Sequence, residues 1–188
     1  MSNQIFSNGI GIRISGFNNT IANNNITNNN QNYTSNLSSY EEINFGIYMV
    51  VAHDNIFYGN TISNHLGKGM EASLLSSNNT IYKNNFIDNV MNAFDDSNNS
   101  WDDGEKGNYW SDYNGTDENY DGVGDTPYHI PGGKNKDNFP LMAPYTGEYK
   151  FKVNEEPLYF MLIVSMGVAI IFLLPIAYLW YIRYHKKK

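Results

Sequence analysis

Between Asn98 and Tyr128 the chain reads NNSWDDGEKGNYWSDYNGTDENYDGVGDTPY, an acid-rich window with one base, Lys106, and two of the three tryptophans. Inside it, Asp117-x-Asn119-x-Asp121-Gly122-x-x-Asp125 matches the opening of the D-x-[DN]-x-[DN]-G calcium loop. Alternate oxygen-bearing side chains there converge on a hard cation. Gly122 permits the sharp turn, and the Val123 carbonyl adds a ligand. The twelfth position is Tyr128, where the sensor-type loop carries a bidentate Glu. The expectation is a short extracellular-type calcium loop built from Asp117, Asn119, Asp121, Val123 and Asp125, with Asp102, Asp103 and Asp112 as donors to a second site. The alternative is a metal-free cluster of Asp, Asn and Gly turns.

Two other chemistries were open to these residue types. Asp95 and Asp96, with Asp88 from the preceding turn, offer paired carboxylates for acid/base work on a polysaccharide. A lyase would need a basic residue, and the only Arg before residue 158, Arg13, is far away in sequence. Turn carboxylates are the alternative. Copper asks for clustered Cys, His or Met. The chain has no Cys, and His53, His65 and His129 lack close spacing. Met49 and Met70 fall at inward repeat positions and Met161 and Met166 in an apolar run. Calcium is therefore the expected cofactor, and copper is not.

These groups need a frame, and repeats provide it. NNTIANNNITNN (18–29), HDNIFYGNTISNH (53–65), NNTIYKNNFIDN (78–89) and NNSW (98–101) share one template. Its first apolar positions, Ile21, Ile56, Ile81 and Trp101, lie 35, 25 and 20 residues apart. A second landmark precedes each: Gly11-Ile12-Arg13-Ile14, Gly46-Ile47-Tyr48-Met49, Gly69-Met70-Glu71-Ala72 and Ala93-Phe94-Asp95-Asp96. Short stretches of period-two alternation, bounded by Asn, Gly and Ser, predict a solenoid of strands. A parallel β-helix fits, with Asn28, Asn64 and Asn89 stacked as an amide ladder. A disordered Asn-rich tract would lack the regular Ile placement. Residues 30–42 break the template and read as a loop thrown out from one coil. Sequons at Asn18, Asn25, Asn32, Asn36, Asn78, Asn98 and Asn114 are weak evidence, because Asn-rich sequence generates them.

Residues 158–182 are uncharged and long enough for one membrane-spanning helix. Glu155 and Glu156 precede the run, while Arg183 and Lys186 to Lys188 follow it. That asymmetry places the tail in the cytoplasm and the rest outside. Residues 1–157 carry 8 bases and 19 acids, a net charge of −11. So acidic a domain disfavours nucleic acid and anionic lipid and suits cations or neutral glycans. MSNQIFSNG has neither the basic start nor the apolar core of a signal peptide. The chain therefore reads as the C-terminal part of a longer gene product.

The G-I-x-I and N-N-T-I-x-x-N-x-I-x-N repeats resemble those of NosD-type β-helix proteins. So does the block W-D-D-G-x-x-G-N-Y-W-S-D-Y, D-G-V-G-D-T-P-Y-x-I and D-N-F-P-L-M, which is similar to the ending of many archaeal members. The resemblance implies a right-handed parallel β-helix, here of three to four coils, in an extracytoplasmic place. It also brings the family's association with copper-site assembly. The expected layout is β-helix over 1–101, an aromatic and acidic cap over 102–145 and a linker over 146–157. The membrane span over 158–182 and a basic tail over 183–188 follow. The expected role is a membrane-anchored, non-enzymatic surface module for glycan binding, adhesion or envelope structure, with glycans or other envelope proteins as partners. A NosD-like copper or metal accessory is the alternative, and a polysaccharide lyase or hydrolase the third. Trp101, Tyr109, Trp110 and Tyr113 are expected to form a lid on the solenoid core.

Overall fold

Strands of three residues survive in this chain because each is closed by one corner residue. The computed structural model describes residues 3–30, 44–73 and 75–147. The expected span over 158–182 lies outside them, and among the described residues no helix is long and apolar enough to cross a membrane. After β1 (Gln4–Phe6), a first coil runs through β2 (Ile10–Phe17), β3 (Thr20–Ala22) and β4 (Asn25–Thr27). The second runs through β5 (Phe45–His53), β6 (Ile56–Tyr58) and β7 (Thr61–Ser63), and the third through β8 (Lys68–Ser73), β9 (Thr80–Tyr82) and β10 (Asn85–Ile87). The fourth begins at β11 (Met91–Asp95), bridges Thr80 through Ser100 and ends at β12 (Tyr109–Trp110). Like strands stack into three parallel sheets, ordered β1-β4-β7-β10-β12, β2-β5-β8-β11 and β3-β6-β9. That is a parallel β-helix.

The corners explain the asparagines. Asn18, Asn23, Asn28, Asp54, Asn64, Asn78, Lys83 and Asp88 all have φ between 51° and 58°, and Gly59 has 65°. Asn and Asp tolerate this left-handed region better than other side chains with a Cβ. The residue after each corner is Asn19, Asn24, Asn29, Asn55, Asn60, His65, Asn79, Asn84 or Asn89. The pairs Asn18-Asn19, Asn23-Asn24, Asn28-Asn29 and Asn78-Asn79 are therefore each a corner followed by a rung. The ladder expected through Asn28, Asn64 and Asn89 is corrected accordingly. Asn28 and Asn64 are corners, and Asn89 is a rung in line with Asn29 and His65.

Register brings two further corrections. Ile21 pairs with Phe57, and Phe57 with Ile81. Phe57 is fully buried while Ile56 is 40% exposed, so the inward residue of the second coil is Phe57. The alternation of a three-residue strand cannot by itself say which of two neighbouring apolar residues faces in. In the fourth coil Ala93 pairs with Met70 and Asp95 with Ala72. The fourth landmark therefore slides by one, and Asp95 occupies an inward slot. The interior columns read Ile26, Ile62, Phe86, Trp110 and Ile21, Phe57, Ile81, Trp101. Both of these columns end on a tryptophan, their largest member.

Two columns of amides run between the sheets. In the first, backbone N and Nδ2 of Asn19 donate to Asn55 Oδ1 (2.9 Å each), Asn55 to Asn79 (2.9 Å each) and Asn79 to Asn99 (3.0 and 2.9 Å). In the second, Asn24, Asn60 and Asn84 pass the same pair of bonds along to Asn108. From the second coil on, each Nδ2 also donates to a carbonyl of the preceding coil, as Asn84 does to Phe57 O at 2.9 Å. Asn84→Ala would orphan the donors of Asn60 and the Phe57 carbonyl in a water-free position. Chemical denaturation should show a loss of about 3 kcal/mol. At the exposed Asn98, Ala should change stability by less than about 0.5 kcal/mol.

Candidate functional site

The ladders have a direction. At every step the donors come from the earlier coil and the acceptor from the later one, so the last rung is left with N–H groups to place. Another Asn would only move the problem one coil further. An ionised carboxylate accepts without donating, so it can end the series. In the first ladder Asn99 Nδ2 reaches Asp95 Oδ1 at 3.0 Å and Oδ2 at 3.1 Å. In the second, Asn108 N reaches Asp137 Oδ2 at 2.6 Å. Each terminator also takes an indole: Trp101 Nε1 donates to Asp95 Oδ2 at 2.8 Å and Trp110 Nε1 to Asp137 Oδ2 at 2.9 Å. Asp95 and Asp137 are fully buried.

A third, mixed column behaves alike. Asn8 donates to Asn29, Asn29 N to His65 Nδ1 (3.2 Å) and His65 N to Asn89 Oδ1 (3.1 Å). Asn89 Nδ2 then reaches Asn92 Oδ1 (3.1 Å), and Asn92 Nδ2 reaches Asp112 Oδ1 (2.7 Å). Asp112, exposed on its outer side, also accepts from Tyr128 Oη at 3.1 Å. All three columns end on aspartate.

The cap is assembled around these ends. Trp110 lies between Phe86 (centroids 4.5 Å, 7°) and Tyr128 (4.2 Å, 10°), so the inward column continues into the cap as stacked rings. The lid is thus Trp101, Trp110 and Tyr128, with Tyr113 packed beside them, while Tyr109 stays half-buried on its strand. Strands β13 (Tyr128–His129) and β14 (Lys136–Asp137) form an antiparallel pair that delivers Asp137. Burial pushes Asp137 up to about 6, against the lowering pull of the N–H groups of Asn108, Trp110 and Phe139. Gly107 has no alternative, because a Cβ there would run into the Asp137 carboxylate. Backbone bonds from Asp95 N to Pro131 O (2.8 Å) and from Leu141 N to Asn108 O (2.8 Å) occupy strand edges that would otherwise be open.

The expected calcium ligands fall in one exposed loop of this cap. Asp117 accepts from Asp121 N (3.2 Å) and Gly122 N (2.9 Å), Asp121 from Val123 N (2.8 Å) and Asp125 from Glu118 N (2.8 Å). Asn119 Nδ2 bonds Asp121 Oδ2 at 3.0 Å. Backbone amides thus supply part of the positive charge these carboxylates require. Among the described residues no group of three His, Cys, Asp or Glu stands ready to hold a metal. Of the second-site donors, Asp102 accepts from Asn138 (3.0 Å) and Gly104 (3.1 Å), Asp103 pairs with Lys83 (3.4 Å) and Asp112 ends the third column.

The paired-carboxylate candidates are separated by the fold. Asp95 points inward as a terminator, Asp96 points outward, and Asp88 is an exposed corner residue at φ 53°. The histidines are separated too. His53 Nδ1 lies 3.1 Å from Ser77 Oγ, and His129 is exposed in the cap. His65 substitutes for an asparagine. Its Nδ1 accepts where an Asn would offer Oδ1, and Nε2 donates to Ile26 O at 3.2 Å where an Asn would offer Nδ2. Both nitrogens are engaged, and burial lowers its pKa to about 4. No described His, Cys or Met cluster fits copper.

Fold and cap together define a parallel β-helix whose C-terminal end is closed by a carboxylate-terminated aromatic lid. A model of the NosD family, described as periplasmic copper-binding proteins, matches residues 1–115, and the chain belongs to that family. No curated protein matches the chain. The matched region takes in all four coils. Asp137 was the important residue the sequence reading missed. It lies outside the acid-rich window, and its signal was the need for an acceptor after Asn108.

The His65 reading has a direct check. The folded pKa is depressed, so the neutral ring contributes stability above about pH 6.5 that is lost as pH falls toward 4. His65→Asn restores the template and removes that loss. Relative to wild type, the variant should gain roughly 3 kcal/mol between pH 6.5 and 4 by urea denaturation.

Proposed function

We propose that the chain is a non-enzymatic surface module: a capped β-helix held outside the cytoplasm by the apolar run at 158–182, serving glycan attachment or envelope structure. The observation that carries the reading is the use made of the acids. Asp95, Asp112 and Asp137 terminate amide columns, and a carboxylate held by several N–H donors is poorly placed to shuttle protons. Extracytoplasmic placement draws support from the family's periplasmic description. The net charge of −11 over residues 1–157 favours neutral glycans over acidic ones. In pull-down on chitin, amylose, alginate and polygalacturonate, the full chain should be retained on a neutral polymer and release no reducing ends or unsaturated uronates. Cleavage of any of the four would overturn the reading.

Calcium belongs to this proposal as a stabiliser of the cap, held by Asp117, Asn119, Asp121, the Val123 carbonyl and Asp125. Its support is the ligand spacing and the left-handed turn at Gly122, φ 82°. Binding would draw carboxylate oxygens away from backbone amides, so the gain is modest. Millimolar calcium should raise the Tm of the full chain by a few degrees over chelator, and an unchanged Tm would remove calcium from the proposal. A metal-handling accessory is the second reading, and the family description is what favours it. It calls for copper ligands beyond the described histidines.

A further inference from the structure

Taken as sequence the sequons are weak evidence, but the fold sorts them. Among the described residues N-x-S/T occurs at Asn18, Asn25, Asn78, Asn98 and Asn114. Asn18, Asn78 and Asn98 share one position in the repeat, immediately before the rungs Asn19, Asn79 and Asn99 of the first ladder. All three are exposed. Their backbones are engaged, as in Asn18 N to His53 O (3.3 Å) and Asn78 N to Asn98 O (2.8 Å). Among the described residues their side-chain amides bond to no other group. The hydroxyl residues Thr20, Thr80 and Ser100 lie on one outward row, in register through Ile56. Corner geometry does not impose this pattern. Asp54, Gly59, Lys83 and Asp88 make left-handed corners too, so asparagine is not obligatory there. The corners Asn23, Asn28 and Asn64 are followed two residues on by Asn25, Asn30 and Leu66, with no hydroxyl. The sequon thus recurs in one corner column, and the second coil, with Asp54 and Ile56, interrupts it.

We infer that this corner column is a stripe of N-glycosylation sites. The inference rests on extracytoplasmic placement, which the family's periplasmic description supports. The co-substrate is a polyprenyl-phosphate-linked oligosaccharide presented by a membrane transferase. The corner Nδ2 attacks the anomeric carbon of the first sugar. An N–C bond forms, the C–O bond to phosphate breaks, and the lipid phosphate leaves with the bonding pair. One amide proton passes to a base of the transferase. The two asparagines of each N-N pair therefore serve different ends. A sugar on the rung would cut the ladder, because its Nδ2 already donates inside, as from Asn79 to Asn99 and to Ala52 O. A sugar on the corner costs no internal bond. Asn25 is excluded, since its Nδ2 is held by Gln4 Oε1 at 3.0 Å on β4. Neighbouring coils lie about 4.8 Å apart. Asn78 and Asn98 are thus too close for a glycan on each, and the stripe carries one on Asn18 and one on either of that pair.

The test uses the full chain isolated from its own cells, with glycopeptides sequenced by electron-transfer fragmentation. A glycan is expected on Asn18 and on Asn78 or Asn98, with Asn25 bare. Thr20→Ala should abolish occupancy at Asn18 and Thr20→Ser should retain it, both at an unchanged Tm. Protease exposure of the chain in spheroplasts reports its placement separately. Bare corners on an exposed chain would defeat the stripe alone, and a chain shielded from protease would defeat the extracytoplasmic reading with it. Sugar confined to Asn114, sugar on Asn25, or occupancy of Asn18 that survives Thr20→Ala would also overturn the proposal.

Discussion

A buried amide that donates two hydrogen bonds forward and accepts two from behind can be repeated indefinitely, but it cannot be ended by itself. This one-way character organises the molecule. It fixes where the rungs stand, one residue past the corner in each column, and it calls for an acceptor at the last coil. Because unsatisfied buried donors cost on the order of 1–3 kcal/mol each, leaving the columns open would remove a large share of a small domain's stability. Asp95, Asp112 and Asp137 meet that demand. The two buried ones also orient Trp101 and Trp110, so the groups that end the polar columns set the aromatic lid as well.

The solenoid was legible because its period and turn chemistry are local. Gly11, Gly46 and Gly69, each followed by an inward residue, marked one sheet correctly, and Asn98-Asn99-Ser100-Trp101 was rightly placed as a fourth copy. Register at the other corners was not legible to the residue. Ile56 and Phe57 are both apolar, and what decides between them is the pairing of Thr20 with Ile56 and of Ile56 with Thr80. Asn28 and Asn29 likewise differ in backbone conformation, which composition does not encode. Asp137 was out of reach for another reason. Its role arises from a contact with Asn108, 29 residues away, that no spacing rule anticipates.

The same contacts change what an acid-rich window means. Clustered Asp beside Trp and Gly suggested a metal loop or an acid/base pair, since those are uses to which dense carboxylates are commonly put. Here many face backbone N–H groups. Asp102 and Asp103 hold Gly104, Glu105 and Lys106, while Asp117, Asp121 and Asp125 hold their own loop. Charge density in a solenoid cap is thus first a matter of folding a segment that has few repeats to lean on. The NosD family's copper association finds no counterpart in the described side chains, where His65 does an asparagine's work.

The rungs also carry a chemical clock. An asparagine that hydrolyses to aspartate changes by one atom and keeps its shape, yet within a ladder it loses the amide donors and becomes a terminator in mid-column. At Asn60 or Asn84 such a change would set a carboxylate beside the carbonyls of Ile21 or Phe57, which now receive an N–H. The molecule would then hold a stop signal inside the β-helix. Ageing by deamidation, harmless at the exposed Asn98 or Asn114, would divide the solenoid at the rung where it struck.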